Sequence, residues 1–226
     1  MEILKSQDLK KPTISVLIYG TPGMGKTTLL GNQQGRTLII DIDRGTNVLV
    51  GCENVDVVRV SENVKELQEI LRELQEKCDY DNVCLDSLSE LERSILTTLS
   101  VRNGTGSPSL QDYTKTNNYV LNCCRQLRGL QANVMFTAWE KCVEITAPSG
   151  EKYTRLVPML RDKNMENICG LCDIVGRIYT DRETGERKVW LEGRPEVIAK
   201  DRIYKRKCCK FEEVLNGGGK NAELEI

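Results

Sequence analysis

The chain has 226 residues, with 32 Lys and Arg against 33 Asp and Glu, a formal net charge of −1 and a sequence pI ≈ 5.8. That length suits one large α/β domain, and so even a balance advertises neither nucleic acid nor an anionic membrane, so such a partner must be argued from a local feature. Histidine is absent, which excludes Ser-His-Asp and Cys-His hydrolases and histidine-ligated zinc, and leaves carboxylate, lysine, arginine and metal chemistry.

Residues 1–13 read as a polar lead-in. The start has neither the basic nor the apolar region of a signal peptide, and no apolar run approaches a membrane span, so a cytoplasmic protein without a membrane partner is expected. In that setting the ten cysteines read as reduced, mostly buried thiols.

An apolar strand over 14–19 runs straight into Gly20-Thr21-Pro22-Gly23-Met24-Gly25-Lys26-Thr27-Thr28. Gly20, Gly25, Lys26 and Thr27 fill the pattern G-x-x-x-x-G-K-[ST], with a strand before it and a helix behind, which is the setting of a P-loop. Glycines 20, 23 and 25 let backbone N–H groups turn onto a phosphate. Lys26 is then placed for the β- and γ-phosphates of ATP, and the Thr27 hydroxyl for Mg²⁺.

The helix from Lys26 is expected to reach about Gln34, with Gly35 stopping it. Residues 37–43 form a buried strand ending in Asp41 and Asp43, and residues 55–60 another. Ser61 opens a helix carrying Leu67, Ile70, Leu71 and Leu74. Strand 82–86 ends on Asp86, where a Walker B carboxylate belongs, opposite Thr27. A helix with Leu88, Leu91 and Ile95, a Gly- and Ser-rich loop over 102–109, and a long helix capped by Ser109 and Asp112 lead to a strand over 133–138. Unbroken apolar strands alternating with helices argue for a mostly parallel sheet covered on both faces. Beyond Trp139, hairpins are expected around 147–150 and 182–186, with a short helix near 161–169 between them. The sheet is thus expected to gain antiparallel strands, with residues 213–226 as a flexible tail.

Asp86 could instead cap the next helix, and on residue type either Asp41 or Asp43 suits a water-polarising role. Thr37 to Asp43, Val83 to Ser87, Val134 to Thr137 and Ile198 to Ile203 follow the P-loop in the order of the RecA ATPase core. The chain more closely resembles the small phage-encoded ATPases, RecA cores without added domains, associated with single-strand annealing and homologous recombination. The resemblance covers roughly 14–212. It implies a RecA-like P-loop core, ATP and Mg²⁺ as cofactors, Asp43 in place of the water-activating glutamate, and Asp86 as the Walker B aspartate. It also matches Lys200 and Arg202 to a cationic pair that reaches the neighbouring subunit's ATP, and so implies a ring or filament. Trp139 stands where RecA has a phosphate-sensing glutamine, and its ring nitrogen cannot accept a hydrogen bond; neighbouring Glu140 is a candidate substitute.

The resemblance places DNA-contacting loops over 102–109 and roughly 141–163. Lys152, Tyr153, Arg155, Arg161 and Lys163 in the second give a basic and aromatic mixture suited to single-stranded DNA. Residues 205–210 concentrate more positive charge. Cys169 and Cys172 have zinc-ribbon spacing, but the adjacent Cys208 and Cys209 are awkward as the second pair of a tetrahedral site, so zinc competes with buried thiols as their reading. The functions implied are ATP-dependent recombination or annealing on single-stranded DNA, with single-strand-binding protein a candidate partner, and, as alternatives, a small-molecule kinase or an ATP-controlled helicase-loading module.

Overall fold

The computed structural model describes residues 13–60, 64–102, 104 and 106–217. The expected lead-in up to residue 12, Ser61, part of the loop over 102–109 and the chain beyond 217 lie outside the described residues.

The first five strands and their crossover segments build most of the parallel part of the sheet: β1 (Ser15–Gly20), β2 (Thr37–Asp41), β3 (Val55–Arg59), β4 (Asn82–Asp86) and β5 (Asn133–Thr146). The crossover helices are α1 (Lys26–Gly31), α2 (Val64–Glu76), α3 (Leu88–Arg102) and α4 (Leu110–Arg128). After β5 come β6 (Lys152–Pro158), α5 (Asp162–Leu171), β7 (Ile174–Thr180), β8 (Arg187–Trp190), β9 (Lys200–Asp201) and β10 (Cys208–Lys210). The strand order is β10-β8-β7-β1-β5-β4-β2-β3. Pairing is parallel from β3 through β7, and antiparallel at β8, β9, β10 and the β5–β6 hairpin.

Alternation along β1 sorts the core into two layers. Leu17 and Tyr19 face α2, α3, α4 and α5, packing with Leu71, Leu88, Leu127 and Ile168. Val16 and Ile18 face α1 and the C-terminal segment, packing with Leu29, Leu30, Val189 and Phe211. Both faces are covered, as buried parallel strands require. Val214 and Leu215 are buried in the second layer, and Arg206 donates to the carbonyls of Glu213 and Val214. The boundary expected at 212 therefore cuts through packed chain, because two apolar side chains and a buried arginine hold the segment down.

One further difference has a local cause. Helix α1 ends at Gly31, short of Gln34, because the Gln33 side chain donates to the Leu29 carbonyl at 2.7 Å, taking the acceptor that a continued helix would give to the Gln33 backbone N–H. Ser109 and Asp112 do form the capping box that opens α4. The two cysteine pairs do not converge: Cys169 and Cys172 pack in the first layer and Cys209 in the second, on the opposite face of the sheet. Burial holds these thiols protonated, raising Cys169 to about 11 and Cys209 to about 12. Among the described residues no group of three or more ligating side chains is placed for a metal.

Candidate functional site

The P-loop leaves β1 at the C-terminal end of the parallel strands and enters α1 through Gly23 (φ 80°) and Gly25 (φ 86°), both in the left-handed region. Any other residue type would be strained there. Thr21 and Pro22 are exposed, Met24 and Thr28 half-buried. Lys26 is 8 % exposed and its ammonium donates to the carbonyls of Gly20 (3.0 Å) and Thr21 (3.1 Å). Burial lowers its pKa, while Asp86, Asp43 and Glu140 act against that shift. The ammonium thus rests on the loop's own oxygens, weak acceptors that phosphate oxygens would outcompete.

Strand β4 delivers Asp86 to this loop. The Thr27 hydroxyl donates to Asp86 Oδ2 at 2.6 Å, and the Thr137 hydroxyl, from β5 next door, donates to Oδ1. Burial raises the Asp86 carboxyl above the usual carboxylate range, and the two hydroxyls counter only part of that shift. The paired oxygens of Thr27 and Asp86 make a hard, all-oxygen donor set of the kind Mg²⁺ takes together with phosphate oxygens and water. As this side chain faces Thr27, it does not cap α3.

The structure separates the two aspartates of β2. Asp41 is fully buried and holds its own turn, accepting from the Gly45 backbone N–H (3.2 Å) and the Thr46 hydroxyl (2.6 Å). Asp43 is half-buried at the mouth of the site. Its Oδ1 accepts from the backbone N–H (3.2 Å) and hydroxyl (2.8 Å) of Ser87, and its Oδ2 from the Trp139 indole N–H (3.2 Å). A carboxylate has about four acceptor positions, so Oδ2 keeps one for a further donor such as water. A cleft of about 390 Å³ opens beside it, lined by Asp43, Arg44, Val60, Glu90, Ser94 and Trp139.

Glu140 is not free to stand in for a glutamine, because Arg177 of β7 grips it through Nε (2.6 Å) and Nη2 (3.2 Å). Trp139 is also fixed through its backbone. Its N–H donates to the Ser89 hydroxyl (2.9 Å), and its carbonyl accepts from the Met159 N–H (2.6 Å) at the base of the β5–β6 hairpin.

Lys200 and Arg202 do not join this cluster. Lys200 pairs with Val175 at the start of β7, whereas the P-loop glycine Gly20 packs on Ile178 nearer its end, about 10 Å further along the strand. Both cations donate to the Gly170 carbonyl near the end of α5, at 3.3 and 3.1 Å. The expected DNA residues also fall into two groups. Lys152, Tyr153 and Arg155 lie on β6, where Lys152 pairs with Glu144 (2.8 Å) and Arg155 donates to the Tyr153 hydroxyl (3.1 Å). Arg161, stacked 3.9 Å from the Tyr113 ring centroid, and exposed Lys163 stand at the start of α5.

A Gly-rich loop between strand and helix, with a buried lysine and a threonine paired to an aspartate from the strand two positions away, defines a P-loop nucleotide-binding fold on a mostly parallel α/β core. The chain belongs to the AAA domain family, whose model it matches over residues 13–203. No protein of curated function matches it. Among solved structures it is similar to a KaiC-like protein from the hyperthermophilic archaeon Pyrococcus horikoshii OT3, at 15% identity and TM-score 0.47 over 81% of this chain and 80% of that one. It is also similar to an ATPase from the type III secretion system of pathogenic bacteria, at 16% identity and TM-score 0.46, covering 76% of this chain and 53% of that one. Among the described residues no helix is long and apolar enough to cross a membrane.

Sequence reasoning found the loop and its carboxylates but missed Ser87, Thr137, Arg177 and the Trp139–Asp43 contact. Ser87 directly follows the residue that ends β4, and that position beside the P-loop was an available signal. Thr137, Trp139 and Arg177 lie within β5 and β7, where no local pattern marks them.

Proposed function

We propose that this protein is a Mg²⁺-dependent ATPase of phage origin that assembles on single-stranded DNA in the host cytoplasm and serves recombination or single-strand annealing. Bound Mg²⁺ would neutralise charge on the β- and γ-phosphates, held by the Thr27 hydroxyl and Asp86. Lys26 exchanges its loop carbonyls for phosphate oxygens. Asp43 orients the attacking water and accepts its proton through the free acceptor position of Oδ2. Lys200 and Arg202, remote from their own P-loop, complete the site of a neighbouring subunit in a ring or filament.

The observation that carries the DNA part is Trp139. Its indole touches the Asp43 carboxylate, and the same strand runs on into the hairpin of Lys152, Tyr153 and Arg155. A strand gripping that hairpin thereby has a mechanical path to the water-orienting group. Single-strand-binding protein suits such an ATPase as a partner. The cleft beside Asp43 favours one second reading, a kinase that seats a small acceptor there.

The test is ATP hydrolysis with and without single-stranded DNA, over a range of protein concentration and salt. Stimulation that rises steeply with protein concentration and falls with salt supports the proposal. Measurable basal turnover without stimulation overturns its DNA half, and phosphorylation of an added nucleoside would establish the kinase.

A further inference from the structure

Arg187 opens β8, directly across from Thr180 at the end of β7. A Cβ built on Gly25 would lie 2.7 Å from its Nη1 and 3.6 Å from its Cζ, so the guanidinium lies against the P-loop at the glycine before Lys26. Arg187 is exposed, and among the described residues its guanidinium makes no ion pair or hydrogen bond. Asp181, in the turn of the same hairpin, is already engaged by Lys188 (2.5 Å) and by the backbone N–H groups of Glu183 and Thr184.

Sheet order gives the direction from which this cation approaches. Strand β4, with Asp86, lies two positions from β1 on one side, and β8, with Arg187, two positions on the other. Thr27, Asp43 and Asp86 gather on the first side, where the γ-phosphate and its water belong. The second side faces what is left of the polyphosphate. We propose that Arg187 is a nucleotide-binding residue, whose guanidinium closes on the α- and β-phosphates from the side of the P-loop away from Asp86. This rests on the ATP reading above. A planar fork of donors suits two non-bridging phosphate oxygens better than a point charge does. It also gives Gly25 a second reason to lack a side chain, since a Cβ there would displace the guanidinium.

The test is equilibrium binding of fluorescent ATP and ADP analogues to the full chain and to its Arg187→Gln, Arg187→Lys and Lys26→Ala variants. Arg187→Gln should weaken ATP and ADP alike, about tenfold or more, as loss of a charge-assisted pair does. Arg187→Lys should recover part of that loss. The unfolding temperature without nucleotide should match wild type, because the side chain is exposed and unpaired. Equal affinities for wild type and Arg187→Gln would overturn the assignment and leave the P-loop reading standing. A loss confined to ATP would overturn it too, by moving the guanidinium to the γ-phosphate. A wild type that binds no nucleotide, and so does not differ from Lys26→Ala, would overturn both.

Discussion

Asp41 and Asp43 leave the same strand two residues apart, and the sequence offers no ground for choosing between them except a resemblance. Hydrogen bonding sets the two apart: Asp41 is occupied by its own turn, and Asp43 faces the site with an acceptor position to spare, which is why the proposed reading takes Asp43. Asp43→Asn should therefore lower ATP hydrolysis by about 10²–10⁴-fold, the usual worth of a positioned general base, while nucleotide affinity stays near wild type. Steady-state turnover beside equilibrium binding measures the two separately, and an Asp41→Asn variant that lost turnover alone would reverse the assignment. The P-loop was legible because its signal is local, nine consecutive residues between a strand and a helix. The partners of Asp43 were not, because Ser87 and Trp139 lie 44 and 96 residues away along the chain. Arg187 was invisible for the same reason: no spacing rule connects it to Gly25.

At the scale of elements, most strands and helices were legible from period and capping, and the errors fell where a side chain competes with the backbone. Gln33 at the end of α1 is the clear case. The element that matters most is β5, which carries Thr137 to Asp86, Trp139 to Asp43 and Glu140 to Arg177 before it becomes one arm of the hairpin. Trp139→Phe keeps an aromatic ring and removes the N–H, so the ratio of DNA-stimulated to basal turnover should fall severalfold; an unchanged ratio would show that coupling does not run through this contact. The base of the hairpin is tied to α3 by Glu92, buried at 7 % exposure, which accepts from the Arg161 backbone N–H (2.9 Å) and the Asn164 amide (2.7 Å) at the start of α5. Glu92→Ala strands two donors and should cost about 1–3 kcal/mol, read as a lower unfolding temperature. Burial raises the Glu92 carboxyl above the usual range. The folded chain thus binds that proton more tightly than the unfolded one. Its contribution to stability is fully present below the ordinary glutamate pKa and is lost as pH rises through the raised value. Glu92→Gln should flatten that part of the stability profile, from the ordinary glutamate pKa upward through the raised one, by roughly the single-proton slope.

At the scale of the whole molecule, the two residues expected to supply further cations to the γ-phosphate lie about 10 Å down the sheet from the P-loop. Their hydrogen bonds to the Gly170 carbonyl hold them side by side, and on the reading proposed above they serve another P-loop in a head-to-tail assembly. Two inactive variants should then repair each other. Arg202→Ala keeps a working P-loop and should bind ATP normally, yet lose DNA-stimulated hydrolysis. Lys26→Ala has a dead P-loop but an intact Arg202 to offer its neighbour. In a head-to-tail ring or filament formed from an equal mixture, about one interface in four joins a working P-loop to an intact arginine, so mixing should restore about a quarter of wild-type stimulated turnover. Mixtures that stay as inactive as their parents, in conditions where the variants demonstrably co-assemble, would place Arg202 outside the neighbour's site. Arg202→Ala that hydrolyses ATP normally on its own would do the same without any mixing.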